Sequence, residues 1–282
     1  PGAGVHPVQA DLADPAGLAT ALAGLTPELV AITAWTRQAT EAENIAVNGA
    51  AVRNVLQALE PAGSVRHAAL MTGLKHYLGP FEAYAQGEMP DTPFHEDEPR
   101  LDAPNFYYAQ EDELFAAARA GFTWSVHRSH TVFGFAVGNA MNMVLTLSAY
   151  AAICKQTGRP FVFPGSSTQW NSVTDVTDAD LLADQIIWAA ATEAGHDQAF
   201  NTVNGDVFRW RWLWPRLAAH LGVDPDRPSV VFVGRTTRQK GLPHLLRAVA
   251  RLPEEVQVVL VAGGPDTPEI AAEVTGLVAE LQ

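Results

Sequence analysis

Apolar and polar residues follow two rhythms along this chain: short dense apolar runs, and longer stretches with the 3.6-residue helical repeat. Leu29-Val30-Ala31-Ile32-Thr33 is a compact apolar run of the kind buried in parallel sheets. It leads through a loop to a helix over about 42–59, with Ile45, Val52, Val55, Leu56 and Leu59 on one side and Asn44 and Asn48 on another. Further strands are expected at 65–71, 123–127 and 199–203, and further helices at 110–120, 141–156, 178–191 and 212–221. Ahead of these, 5–10 reads as a short strand and 15–24 as a helix. Strand and helix in alternation predict an α/β fold, a Rossmann-like parallel sheet with helices on both faces.

The rhythm is interrupted after Gly222. Val223-Asp224-Pro225-Asp226-Arg227-Pro228 is rich in proline and aspartate, and a new βαβ unit follows: a strand at 229–234, a helix at 242–251, a strand at 256–261 and a last helix at 267–281. The expected domains are therefore residues 1–222 and a partial α/β unit at 223–282.

The chain has 282 residues, 48% of them hydrophobic and 17% charged, with a mean hydropathy of +0.01, which suits a folded globular chain. Its net charge of −13 lies mostly in residues 1–222, where 12 basic residues face 23 acidic ones. Such a field repels phosphate backbones, so no nucleic-acid partner is expected. No run of about 18 apolar residues occurs, so no membrane partner is expected either. One cysteine, Cys154, excludes a disulfide framework and suits a reducing, cytoplasmic compartment. His6, His95, His196 and His220 have no metal-ligand spacing, and no metal is expected.

The candidate chemistry lies in Met71-Thr72-Gly73-Leu74-Lys75-His76-Tyr77 and Asn105-Phe106-Tyr107-Tyr108. Lys75 follows a predicted strand, and ligands of open α/β sheets gather at the C-terminal strand ends. A phenol titrates near 10 in water, so a neighbouring cation helps it act as an acid near neutrality. Taken from the residues alone, an exposed lysine with two packed tyrosines stays open beside this reading.

The segments Thr72-Gly73-Leu74-Lys75-His76-Tyr77-Leu78-Gly79-Pro80-Phe81, Asn105-Phe106-Tyr107-Tyr108-Ala109-Gln110-Glu111-Asp112 and Trp124-Ser125-Val126-His127-Arg128 resemble the progesterone 5β-reductase and iridoid synthase family of extended short-chain dehydrogenase/reductases. Gly134-Phe135, Met141-Asn142, Ser172-Val173-Thr174-Asp175 and the run Asn204 to Trp210 continue the likeness in order. The resemblance implies reduction of a carbon–carbon double bond conjugated to a carbonyl, with NADPH as hydride donor (NADH as the alternative) and a small enone or carbonyl compound as partner. It implies a monomer or homodimer. It makes Tyr107 the catalytic phenol and Lys75 its lysine, and Glu111 stands where most of the superfamily has that lysine. It places Asp11, Leu12, Thr33, Trp35, Thr72, His127 and Arg128 along the cofactor. The family continues His127-Arg128 with proline, whereas Ser129 stands here.

Epimerase, dehydratase or carbonyl reductase activity with the same cofactor is the alternative enzyme reading, and Glu111 argues against it. A dinucleotide site also needs a strand running into a glycine-rich turn at a helix N-terminus. Pro1-Gly2-Ala3-Gly4 lacks that context, so the expectation is a domain cut short by one βαβ portion of roughly 30 residues. A non-catalytic Rossmann-like module is the reading that this absence favours. The tail segments Val231 to Leu242, with Arg235 and Lys240, and Val258 to Asp266 resemble part of the nucleotide-sugar lobe of glycogen synthase-type glycosyltransferases. No transferase activity is expected of so short a piece.

Overall fold

The computed structural model describes residues 4–80, 90–136, 142–223, 229–237, 240–252 and 257–281. The expectations placed on residues 1–3, on Phe81, on Met141, on 224–228 and on 238–239 lie outside them. The chain forms two compact units, 1–134 with 175–206 and 135–174 with 207–282. These divide the chain at other places than Gly222, where the resemblance changes.

The first unit holds a four-stranded, wholly parallel sheet in the order β1-β2-β3-β7. Its strands are β1 (Leu29–Ile32), β2 (His67–Gly73), β3 (Thr123–Ser129) and β7 (Gln198–Thr202). Helices α1 (Pro15–Ala21), α2 (Glu41–Leu59), α3 (Lys75–Leu78), α4 (Phe106–Ala118) and α7 (Ala179–Ala191) accompany it, and the short strands β4 (Val132–Phe133) and β6 (Thr177–Asp178) pair in parallel. The pleat of β2 assigns its side chains to two cores. Ala68 and Leu70 meet Val52, Leu56 and Leu114 of α2 and α4, together with Val30, Ile32 and Val126. Ala69 and Met71 meet Leu182 and Ile186 of α7. Both faces are covered, as the near-continuous apolar runs require, and burial of each such leucine contributes about 1.5–3 kcal/mol.

Helix starts follow local chemistry. Thr40 caps α2 by accepting the Glu43 N–H at 3.2 Å, while the Glu43 carboxylate accepts the Thr40 N–H at 3.0 Å. Asn105 caps α4, which begins at Phe106 and not near Gln110. One expected strand is absent. Residues 5–10 form no ladder, and Val5 and Val8 are exposed. Without a ladder partner among the described residues, a six-residue stretch gains little from extension.

In the second unit, helices α5 (Met143–Thr157), α6 (Ser167–Asn171) and α8 (Trp210–Leu221) lie with an antiparallel ladder of β5 (Val173–Thr174) and β8 (Phe208–Arg209). Tyr150, Cys154, Phe161, Trp214, Ala218 and Val259 form its aromatic core. Trp214 stacks on Phe161 at 4.2 Å, and its Nε1–H donates to the Phe161 carbonyl at 2.7 Å. Trp212, two residues earlier, is exposed. The Cys154 thiol is buried and donates to the Pro160 carbonyl. The strands β9 (Ser229–Thr236) and β10 (Gln257–Pro265) pair in parallel, with α9 (Leu242–Val249) between them and α10 (Pro268–Glu280) after them; Leu242, Leu246 and Val249 fill their core. Among the described residues no helix is long and apolar enough to cross a membrane.

Candidate active site

The C-terminal end of β2 is where chemistry collects. Gly73, its last residue, has space for nothing larger: a Cβ there would lie 2.9 Å from the Ser129 carbonyl oxygen and 3.3 Å from the Tyr107 hydroxyl. The phenol of α4 therefore reaches the very end of the strand that delivers Lys75 two residues later. Tyr107 is half-buried and Lys75 buried.

Asn105 joins the two. Its Oδ1 accepts the Tyr107 N–H at 3.0 Å, and its Nδ2 donates to the Lys75 carbonyl at 2.7 Å. Lys75 Nζ stands 4.7 Å over the Phe106 ring and 3.9 Å from Glu41 Oε2 at the head of α2. Trp35 stacks on Phe106, with ring centroids 5.4 Å apart. The loop bearing Trp35 is held by α2: Asn48 accepts the Thr36 N–H and donates to its carbonyl, and Asn44 accepts the Gln38 N–H. These asparagines, predicted only as a polar side of the helix, fix the loop that follows β1.

Glu111 is turned away from the pair. Arg100 donates to its Oε2 at 2.9 Å, and His76 Nδ1 lies 3.9 Å from its Oε1. Burial raises the Glu111 carboxyl above its ordinary range against the pull of Arg128 and Arg100. Burial, with help from Arg128, lowers His76 to about 4. Position 111 thus organises the floor behind the site.

The expected cofactor residues fall into two groups. Thr33 and Trp35 lie just beyond the C-terminal end of β1, and Thr72 is buried in β2 with its Oγ1 lacking a hydrogen-bond partner among the described residues. Asp11 and Leu12 precede α1, where Asp11 accepts the Ala13 N–H and the Leu12 carbonyl accepts from Asn54 of α2. His127 and Arg128 point to opposite sides of β3. Arg128 donates to the Tyr77 hydroxyl at 2.9 Å and to the Glu96 carbonyl at 3.1 Å. His127 belongs to a chain of hydrogen bonds inside the sheet: His67 Nδ1 with Thr123 Oγ1, His67 Nε2 with Ser125 Oγ, Ser125 Oγ with His127 Nε2, and His127 Nδ1 with Gln185 Oε1. Ser129, which replaces the family's proline, continues β3 opposite Gly73 and Thr202, and its hydroxyl donates to the Thr72 carbonyl.

The fit to a nicotinamide is favourable at this end. The bare Gly73, the buried unpartnered Thr72 hydroxyl and the aromatic Trp35 border the same strand ends. A cavity of about 590 Å³ lies elsewhere, between the C-terminal halves of α2 and α4, lined by Arg53, Leu56, Glu60, Glu113 and Phe122, and shares none of these groups.

An open parallel sheet with helices on both faces and polar groups at its C-terminal strand ends defines a Rossmann-type α/β protein. The chain belongs to the family of PRISE-like Rossmann-fold domains, with the match spanning residues 22–232. It is 45% identical over 226 residues to an (S)-8-oxocitronellyl enol synthase from Camptotheca acuminata, covering 78% of this chain and 58% of that one. A 3-oxo-Delta(4,5)-steroid 5-beta-reductase from Arabidopsis thaliana matches with the same identity and the same coverage. The chain thus spans 58% of the length of each. Among solved structures, RMD from Pseudomonas aeruginosa complexed with NADPH shares the fold, with a TM-score of 0.62 at 18% identity over 79% of each chain.

Proposed function

We propose that this chain carries the catalytic core of an NADPH-dependent reductase that saturates a carbon–carbon double bond conjugated to a carbonyl. The observation that carries the reading is that the Tyr107 hydroxyl reaches Gly73 at the end of β2, while Asn105 accepts the Tyr107 N–H and donates to the carbonyl of Lys75, two residues past that strand, with an acid at 111. The names of the relatives, an enol synthase and a 5-beta-reductase, support it.

When bound, the nicotinamide supplies hydride to the β-carbon. As negative charge develops on the substrate's carbonyl oxygen, the Tyr107 hydroxyl donates a hydrogen bond that strengthens with that charge. Lys75 favours that polarity at the phenol. Gly73 lets the Tyr107 hydroxyl come up to the strand end, and Phe106 and Trp35 form an apolar wall that excludes water from one side. Thr33, Trp35 and Thr72 would border the nicotinamide end, while Asp11 and Leu12 would border the adenine end. His127 and Arg128 would act by holding the backbone of β3 in place, since their side chains are engaged elsewhere. Residues 1–222 form the reductase portion in this reading, and 223–282 a joined unit of separate ancestry. The working form is a cytoplasmic monomer or homodimer.

The test is direct. NADPH titrated into the folded chain should give saturable enhancement of nicotinamide fluorescence, tighter than NADH, and an added enone should then consume NADPH. Saturable binding with no consumption across steroidal, terpenoid and small enones would sink the reading.

A further inference from the structure

We propose that Glu41 is the positioning residue of this site, one carboxylate that holds both the Lys75 ammonium and the start of the helix bearing Tyr107. The proposal deepens the reductase reading, and its catalytic half rests on that reading.

The first turn of α2 carries two acids with separate work. Glu43 is exposed and serves its own helix through the capping box with Thr40. Glu41, with its side chain 11% exposed, reaches beyond its helix as well as to Asn44 within it. Its Oε1 accepts the Phe106 N–H at 2.7 Å. That N–H belongs to the first turn of α4, where amides lack intrahelical partners and a negative charge is favourable. Its Oε2 accepts from Asn44 Nδ2 at 3.1 Å and lies 3.9 Å from Lys75 Nζ. An ammonium as buried as Lys75 needs an opposite charge nearby. Glu41 supplies it from α2, and Phe106 of α4 adds its ring face at 4.7 Å.

Residue 106 lies between Asn105, which holds the Lys75 carbonyl, and Tyr107. The carboxylate therefore fixes the register of α4 against α3 at the residue preceding the phenol. It also places an opposite charge 3.9 Å from the Lys75 ammonium. Loss of the charge alone and loss of the hydrogen bond are separable. Glu41→Gln keeps an acceptor for Phe106, and Glu41→Ala keeps neither.

Only three lysines occur in the chain: Lys75, Lys155 and Lys240. Selective ¹³C labelling of lysine therefore follows Lys75 by NMR in the chain as it stands, with Lys75→Met assigning its signal. In Glu41→Gln the Lys75 signal should titrate at lower pH than in the parent, with the other two unmoved. In Glu41→Ala the Phe106 amide should also exchange about tenfold faster or more. With an accepted enone, the alkaline limb of kcat should move down with the Lys75 midpoint in Glu41→Gln, with KM within about twofold. An unmoved Lys75 titration overturns the proposal. A moved titration with an unmoved kcat profile overturns the positioning role and leaves the reductase reading standing. A moved titration in a parent that reduces no enone supports the hold on Lys75 and removes the reductase reading instead.

Discussion

Two buried polar systems share the first unit, and they are built on opposite principles. At the C-terminal end of β2, Lys75, Glu41, Asn105 and Tyr107 combine full charges with a half-buried phenol. Inside the sheet, His67, Ser125, His127 and Gln185 form a chain of neutral groups with no charge among them. Gln185 Oε1 can only accept, and it already takes the Thr202 hydroxyl. His127 must then donate from Nδ1 and accept at Nε2. The Ser125 hydroxyl in turn donates to His127 and accepts from His67 Nε2, which leaves His67 Nδ1 facing the Thr123 hydroxyl, whose one proton is shared between it and the Arg66 carbonyl. From Gln185 to His67 each proton has one place, and a charged imidazole would spoil the sequence. The charged cluster can shift charge during a reaction, whereas the neutral chain can only hold β2, β3 and α7 together.

Four perturbations probe that contrast. Tyr107→Phe removes the donor that the proposed reaction assigns to the developing oxyanion, and kcat for enone reduction should fall about 10²–10⁴-fold with the melting temperature nearly unchanged. An unchanged rate would remove Tyr107 from the chemistry. Ser125→Ala leaves both facing imidazole nitrogens unsatisfied, and chemical denaturation should show a loss of about 2–4 kcal/mol.

Acid should act on the neutral chain next. Burial, with His196 and His127 nearby, lowers His67 from 6.5 to about 4, and burial lowers His127 as well. The unfolded chain therefore binds more protons between about pH 6.5 and 4, so stability is fully present above that window and is lost as pH falls through it. For His67 the loss amounts to about 3 kcal/mol at most. His67→Gln should flatten the pH dependence of the unfolding free energy, and an undiminished slope would show that the titration lies elsewhere. Asn105→Ala should cost least in stability, about 1–2 kcal/mol in the unfolding free energy, through loss of a helix cap and of the bond to the Lys75 carbonyl. Its kcat should nevertheless drop, because the same side chain aligns Lys75 with Tyr107. A kcat that holds while stability falls would mark Asn105 as a cap and nothing more.

The order of strands and helices was legible because dense apolar runs and helical spacing are local signals. The α4 start was less so: Phe106-Tyr107-Tyr108 is not a strong helix-former, and only the Asn105 cap, ahead of the expected start, marks it. The strand expected at 5–10 depended on a partner that local pattern cannot supply. The motif residues Lys75 and Tyr107 stood out by resemblance. Their neighbours Glu41, Asn44 and Asn48 did not, since a first-turn acid and two helix asparagines look like ordinary caps and surface.

What the sequence by itself determined is therefore the α/β alternation and the family, and with the family a candidate pair for the chemistry. These follow from patterns that each segment carries alone. Only the tertiary structure decided that Glu41 reaches Lys75 and the Phe106 N–H, that His127 faces the sheet interior and that Glu111 turns to Arg100. Each of those outcomes depends on which groups are brought within a few ångströms of one another by chain crossings 11–65 residues apart. Charge and hydrogen bonding act over that distance, and separation along the chain does not reveal it.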